Sequence, residues 1–208
     1  YPLRRQRQMC IRDSLYSIDV EPLKGYEGSK DSSASTSESS IQFRALDPEW
    51  RDENVRNKSI PLSSFDDKLK FPLSIKTDFA FATIAPGHIV KILNKGDFEV
   101  GFELNILCNA VVKNPRIYNV VTQEYFGWTG TFDAGTTVFL STVNGEKKSW
   151  HQDDTDPKST NAMGIRTPGS TFFTLDNIES NNLVVQADKG QESILATISF
   201  TPLIIGCL

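Results

Sequence analysis

From residue 100 to 112 every second side chain is apolar. Val100, Phe102, Leu104, Ile106, Cys108, Ala110 and Val112 fall on one side, with Gly101, Glu103, Asn105 and Asn109 on the other. This two-residue period is that of a strand with one buried and one wet face, because successive side chains of an extended chain point to opposite sides of a sheet. It predicts one long strand over 100–112, broken by Asn114-Pro115. The period returns near the end of the chain, where Ile194, Ala196, Ile198 and Phe200 oppose Thr197, Ser199 and Thr201. Between these runs, Ile117, Asn119 and Val121 predict a further strand. Thr122-Gln123-Glu124 turns it, and Phe126, Trp128, Gly130 and Phe132 share a face of the returning strand. After Asp133-Ala134-Gly135, Val138, Leu140 and Thr142 predict another. Asn144-Gly145 is the strongest hairpin signal in the chain, because both positions of a tight two-residue turn favour positive φ. Residues 146–150 return from it, His151 to Met163 reads as a polar loop, and Phe172-Phe173 and residues 183–187 supply later strands. Residues 87–93 are apolar on both sides, Val90 and Ile92 against Ile89 and Leu93, which predicts a strand covered on both faces.

Upstream the texture is different. Leu15 to Val20 alternates weakly. Ser29 to Ser40 is Ser-rich and too poor in apolar side chains to offset its ordering entropy, so it predicts a loop or linker. Ile41 to Leu46 predicts a short strand, turned by Asp47-Pro48-Glu49-Trp50, and Arg51 to Lys58 an irregular charged stretch. Pro72 in the run Leu69 to Ile75 lacks a ladder donor and favours an edge. No stretch carries a sustained helical period with caps. Burial of a large apolar side chain stabilises by ~1.5–3 kcal/mol, so the apolar faces suffice for one core. The fold class expected is all-β, with one antiparallel β-sandwich core over 59–208.

Lys and Arg number 22 against 26 Asp and Glu, a net charge of −4. That balance argues against a sequence-independent grip on nucleic acid, which needs clustered cations. No apolar run approaches the ~18 residues that span a membrane. The cluster Arg4-Arg5-Gln6-Arg7-Gln8-Met9-Cys10-Ile11-Arg12-Asp13 resembles the in-frame translation of a transposase adapter used in sequencing libraries. The expectation is that residues 1–14 are adapter-derived and that the natural gene was cut at its start. Setting them aside removes four of the arginines and leaves Met163 as the only native methionine and Cys108 and Cys207 as the native thiols, a spacing with no metal pattern.

Candidate chemistry is sparse. His88 and His151 lie in or beside predicted turns and lack a third ligand; solvated side chains are expected. Asp153-Asp154-Thr155-Asp156 offers closely spaced oxygens for a cation but neither the glycine nor the distal glutamate of a calcium loop, so a solvated loop is expected. Cys108 falls on an apolar face and reads as a small buried hydrophobe. Trp50, Trp128 and Trp150 are the aromatic faces a sugar could stack on. Trp128 shares its face with Phe126 and Phe132 and reads as core. Trp150 ends a predicted strand beside a polar loop and is the better carbohydrate-binding candidate. With no phosphate loop, nucleophile elbow or Cys-His pair, no enzyme, metal or cofactor is expected; a glycosidase would need two carboxylates ~5–9.5 Å apart across a cleft.

An ordered set of short motifs adds to this reading. It runs Lys70-Phe71-Pro72-Leu73, then Leu93-Asn94-Lys95-Gly96-Asp97-Phe98-Glu99-Val100-Gly101-Phe102, then Asn114-Pro115-Arg116-Ile117-Tyr118-Asn119-Val120. Glu124, Gly130-Thr131-Phe132-Asp133-Ala134-Gly135 and Thr142-Val143-Asn144-Gly145-Glu146-Lys147-Lys148 follow. Ser170-Thr171-Phe172-Phe173-Thr174-Leu175, Asn182-Leu183 and Phe200-Thr201-Pro202-Leu203-Ile204-Ile205-Gly206 close the set. In this order the motifs resemble the C-terminal domain of the distal tail protein of long-tailed (siphovirus-type) bacteriophages. Leu46-Asp47-Pro48-Glu49-Trp50 resembles the segment joining that family's two domains. Two places depart from the pattern: Leu203-Ile204-Ile205-Gly206 lacks an aromatic, and Gly164-Ile165-Arg166-Thr167-Pro168-Gly169 replaces an alternating Leu-Asp stretch.

The resemblance implies a structural virion protein at the tail tip, made in the host cytoplasm during assembly. Its N-terminal domain would build a homo-hexameric ring, of which residues 15–58 would be the remnant, leaving this chain alone monomeric. Its C-terminal domain would be a galectin-like sandwich. The implied partners are other phage tail proteins: the tail tube, a tail-associated lysin or fibre, and a receptor-binding protein. No nucleic acid and no membrane insertion are implied. The alternative is a carbohydrate-binding module contacting host surface glycans through Trp150.

Overall fold

The computed structural model describes residues 16–28, 39–53, 55, 58–67, 82–85, 87–154 and 158–205. The adapter-like residues, the run with Pro72, most of the Ser-rich segment, Thr155, Asp156 and Cys207 lie outside the described residues.

The chain divides into two units, residues 1–54 with 203–208, and residues 55–202. The first holds β1 (Tyr16–Ser17), β2 (Glu21–Gly28), β3 (Ser39–Arg44) and β4 (Trp50–Asp52). β2 and β3 pair antiparallel with Glu21 opposite Arg44 and Pro22 opposite Phe43. β4 is a strand where an irregular stretch was expected, because it gains ladder partners on both sides. One is β1; the other is the distant Leu203–Ile204.

The second unit contains β5 (Ile60–Pro61), β6 (Ser64–Asp67), β7 (Ala82–Ala85), β8 (Val90–Ile92), β9 (Phe102–Cys108), β10 (Val112–Lys113) and β11 (Arg116–Asn119). β12 (Tyr125–Gly127), β13 (Thr131–Phe132), β14 (Thr137–Ser141), β15 (Lys148–Gln152), β16 (Thr160–Asn161), β17 (Asn181–Gln186) and β18 (Ile194–Phe200) follow, and Leu203–Ile204 is β19. Six strands form one sheet in the order β16-β15-β14-β9-β18-β5, and four form a second, β12-β11-β17-β8. Every strand pair is antiparallel. The expected all-β sandwich is the fold found. Among the described residues the helical segments are the 3-10 turns Met163–Ile165 and Gln191–Ser193.

Apolar alternation explains the core directly. Phe102, Leu104, Ile106 and Cys108 of β9 face inward and are fully buried, and the paired side chains Val138 and Leu140 of β14 and Ile194, Ala196, Ile198 and Phe200 of β18 continue that face. The second sheet contributes Ile117, Phe126, Leu183, Val185 and Ile92. Trp128 joins the layers: its ring packs edge-on against Phe126 with centroids 5.2 Å apart, and its Nε1–H donates to Ser149 Oγ of β15 at 2.8 Å. The Ser149 hydroxyl donates in turn to the Phe139 carbonyl at 2.8 Å.

Several strand limits differ from the sequence pattern. The predicted 100–112 strand stops at Cys108. Its N–H turns to the Thr136 carbonyl, Asn109 N–H to Ser193, and Ala110 is exposed. Residues 112–113 resume as β10, paired with β13. The Phe126–Phe132 strand is likewise split, although Phe126, Trp128 and Phe132 are all buried. Residues 87–93 are not covered on both faces: Ile92 of β8 points to the core and is buried, while Ile89 and Leu93, of opposite parity, stay exposed. The Asn144-Gly145 hairpin exists, but as a longer loop. The β14–β15 ladder closes at Ser141 opposite Lys148, Glu146 N–H donates to the Val143 carbonyl at 3.0 Å, and only Gly145 takes a positive φ, +78°.

Burial pushes the Cys108 thiol up to about 11. It therefore stays protonated near neutral pH, which makes it a poor nucleophile. Maleimide labelling followed by peptide mapping should leave Cys108 unmodified in the native chain and modify it after denaturation; native labelling of Cys108 would contradict this packing. The loop before β17 carries a second checkable titration. Ile178 and Glu179 N–H groups donate to Asp176 Oδ1 at 2.6 and 3.0 Å and hold its carboxyl below the usual carboxylate range. The charged form is the one stabilised, so this turn contributes fully above the unfolded aspartate value of ~3.9. The contribution disappears as pH falls through the lower folded value. In an NMR titration the two amides should shift at lower pH than an unperturbed aspartate.

Candidate functional site

Directly paired residues in an antiparallel sheet present their side chains on the same face. Register therefore places Asn161, Trp150, Phe139, Asn105, Thr197 and Pro61 in one row across all six strands, on the side turned away from the core. A parallel row holds Gln152, Thr137, Leu107 and Leu195. At the centre of the first row the Trp150 and Phe139 rings stack with centroids 5.1 Å apart and planes 17° from parallel. Phe139, though on the outer side, is only 9% exposed, while Trp150 is half-buried. The exposed amides of Asn105 and Asn161 flank the pair, and Leu107 adds apolar surface at 37% exposure. Uncharged amides beside an aromatic pair suit a neutral polar ligand or a protein surface of mixed polarity. The row holds no carboxylate, imidazole or thiol.

Trp150 thus lies in mid-strand, not at a strand end as the sequence suggested, because β16 extends the sheet beyond it. Phe139 occupies one face of its ring. Trp128 is core, as its pattern indicated, and Trp50 is half-buried in β4 of the first unit. His88 is exposed. His151 departs from expectation: it sits within β15 on the inward side, opposite Val138, edge-on to the Phe132 ring at 5.9 Å. Its Nδ1 is buried and without a hydrogen-bond partner. Asp153 accepts a 2.9 Å hydrogen bond from the Thr136 hydroxyl. Among the described residues no three His, Cys, Asp or Glu side chains converge on a metal-sized site. The first unit has a shallow pocket of about 150 Å³ lined by Asp19, Val20, Glu21, Leu46 and Asp47, with Asp19 also ion-paired to Arg51. The sequence held no signal for Phe139 as a site residue, because its contact with Trp150 depends on strand pairing.

The fold has solved counterparts. The chain superposes on the Dit (gp 19.1) protein of phage SPP1, described as a paradigm of the hub adsorption apparatus in phages infecting Gram-positive bacteria. The TM-score is 0.57 at 8% identity, over 90% of this chain and 60% of that one. A chain of the phage P2 baseplate, in its activated conformation with Ca, gives a TM-score of 0.43 at 12% identity over 91% of this chain and 63% of that one. The chain therefore spans about 60% of the length of the solved proteins it matches. At these identities the likeness is one of fold. No protein-family model and no curated protein matches the sequence.

Proposed function

We propose that this chain is a structural virion protein of a long-tailed bacteriophage, a distal tail or baseplate hub component that docks other proteins and performs no catalysis. The observation that carries the reading is the superposition on the SPP1 hub protein over 90% of this chain. The ordered motifs quoted above support it independently. In this reading residues 59–208 are a galectin-like C-terminal domain and residues 15–58 belong to a ring-forming domain that is hexameric in the full-length protein. The sandwich links the tail tube to receptor-binding or peripheral baseplate proteins, at the tail tip of the virion. Val20, Leu23, Phe43 and Leu46, exposed on the small first unit, are the kind of apolar surface that assembly covers. Fold alone does not fix function, so the test is one of partners. Co-expressed with the tail proteins encoded beside its gene, the chain should co-elute with at least one in size-exclusion chromatography. Elution apart from all of them would overturn the proposal.

The outer row favours one second reading, carbohydrate binding on the same scaffold, because Trp150 combines an aromatic surface with flanking amides. On a glycan array the chain would then bind a host surface sugar, with binding lost in Trp150→Ala. Absence of binding to any glycan, or binding unchanged in Trp150→Ala, removes this role.

A further inference from the structure

The β14–β15 hairpin carries the only Asn-Gly pair in the sequence. Both residues are exposed at the tip of the loop. The bond closing this turn runs from Glu146 N–H to the Val143 carbonyl, so Gly145 N–H is not the donor that holds it. No described residue accepts from Gly145 N–H, and the Asn144 amide is likewise without a hydrogen bond. A Cβ added at Gly145 would meet nothing within 4 Å, so no other part of the described chain packs against this side of the glycine.

These are the conditions for an intramolecular reaction. A backbone nitrogen attacks the neighbouring side-chain carbonyl only if its N–H can be deprotonated and if no side chain on the following residue obstructs the approach. Glycine removes the obstruction and keeps the backbone mobile enough to bring the two atoms together.

We propose that Asn144 is a site of spontaneous deamidation, with water as the only co-reactant. The Gly145 nitrogen, losing its proton, forms a bond to Asn144 Cγ; the Cγ–Nδ2 bond breaks and ammonia leaves, giving a five-membered imide. Water then adds to one of the two imide carbonyls and opens the ring to an aspartyl or isoaspartyl residue at position 144. No oxidation or reduction occurs, and the balance is one water consumed for one ammonia released.

Several of the other described asparagines are placed differently. Asn94 donates to the Phe98 and Leu175 carbonyls, and Asn181 to the Asp176 carbonyl. Asn114 precedes proline, which has no N–H, and Asn119 is buried. Asn109 is exposed but precedes Ala110, whose methyl group crowds the attack; it is the internal control. The charged groups around the tip are Glu146, Lys147 and Lys148, with Glu103 across the ladder from Ser141. Lys148 lies 3.8 Å from Glu146, and the Lys147 ammonium sits 5.9 Å from the Phe172 ring centroid. Conversion adds a negative charge beside the two lysines. The isoaspartyl form also lengthens the main chain by one atom, at a place where the ladder has already closed below the loop.

The full chain would be incubated in mildly alkaline and mildly acidic buffer, native and in denaturant. Position 144 would then be followed by peptide mass mapping and enzymatic isoaspartate labelling. The expected result is conversion at 144 that is faster in alkaline buffer, absent in Asn144→Gln, and ahead of any change at Asn109. The native rate should lie within about tenfold of the denatured one, a barrier difference of no more than about 1.4 kcal/mol. An unchanged position 144 in the native chain while the denatured chain converts, or conversion of Asn109 as fast as Asn144, overturns the proposal. The readout is independent of any tail partner or sugar.

Discussion

Trp128→Ala is expected to lower the stability of the sandwich by about 3–5 kcal/mol, the range for removing a buried large aromatic side chain. Trp128 is fully buried between the two sheets, and its loss leaves a hole against Phe126. It also removes the indole N–H that donates to Ser149 Oγ. The hydroxyl keeps its bond to the Phe139 carbonyl, so the polar part of the loss is small beside the cavity. Trp128→Phe separates the two effects. It keeps most of the apolar volume and deletes the hydrogen bond, whose net worth is about 1 kcal/mol. Urea denaturation of the three proteins measures both. A Trp128→Ala midpoint close to the parent would mean that the indole does not bridge the layers.

Gly101→Ala is the second large effect, expected to destabilise by about 1–3 kcal/mol through overpacking. A Cβ at this position would stand 2.5 Å from Val143 Cα and 2.6 Å from both the Thr142 carbonyl oxygen and Val143 N. All three are backbone atoms, so no rotamer change relieves the clash; the start of β9 and the end of the β14 arm must separate. Three hydrogen bonds link Phe102 and Thr142: Phe102 N–H donates to Thr142 Oγ1 and Thr142 N–H to the Phe102 carbonyl, both at 2.9 Å, and the Thr142 hydroxyl donates to that carbonyl at 3.3 Å. Hydrogen exchange at the Phe102 and Thr142 amides should accelerate in the variant. Gly164→Ala is the control. Nothing lies within 4 Å of a Cβ there, and restricting the unfolded chain stabilises by about 0.4–1 kcal/mol where the backbone conformation suits alanine. If Gly101→Ala behaved like Gly164→Ala, the close approach of the two strands would be wrong.

These two positions differ in how far sequence reveals them. Trp128 was legible as core because it alternates in step with Phe126 and Phe132. Gly101 appears in the same alternation only as one more position on the wet side of a strand. Its requirement for glycine comes from Val143, some forty positions downstream. The same distinction separates Cys108, whose burial follows from its place between Ile106 and the turn, from His151. His151 looked like a loop residue yet lies within β15 with its ring edge-on to Phe132. Trp150, singled out as a candidate sugar platform, lies on the outer side of its sheet in mid-strand. Its stacking partner Phe139 and the amides of Asn105 and Asn161 could not be named, because they reach Trp150 through pairings with three different strands.

By itself the sequence determined that the described chain after Ser59 is built mainly of strands, and for most of them which side chains turn inward. Both are local properties, set by the alternation of an extended backbone and the cost of leaving apolar side chains in water. Tertiary structure alone decided where strands stop, which strands are neighbours, and which residues share the outer row. Those depend on hydrogen bonds between distant segments, such as Cys108 with Thr136, Asn109 with Ser193, and β4 with β19. No pattern within a short window encodes a partner that lies a hundred residues away.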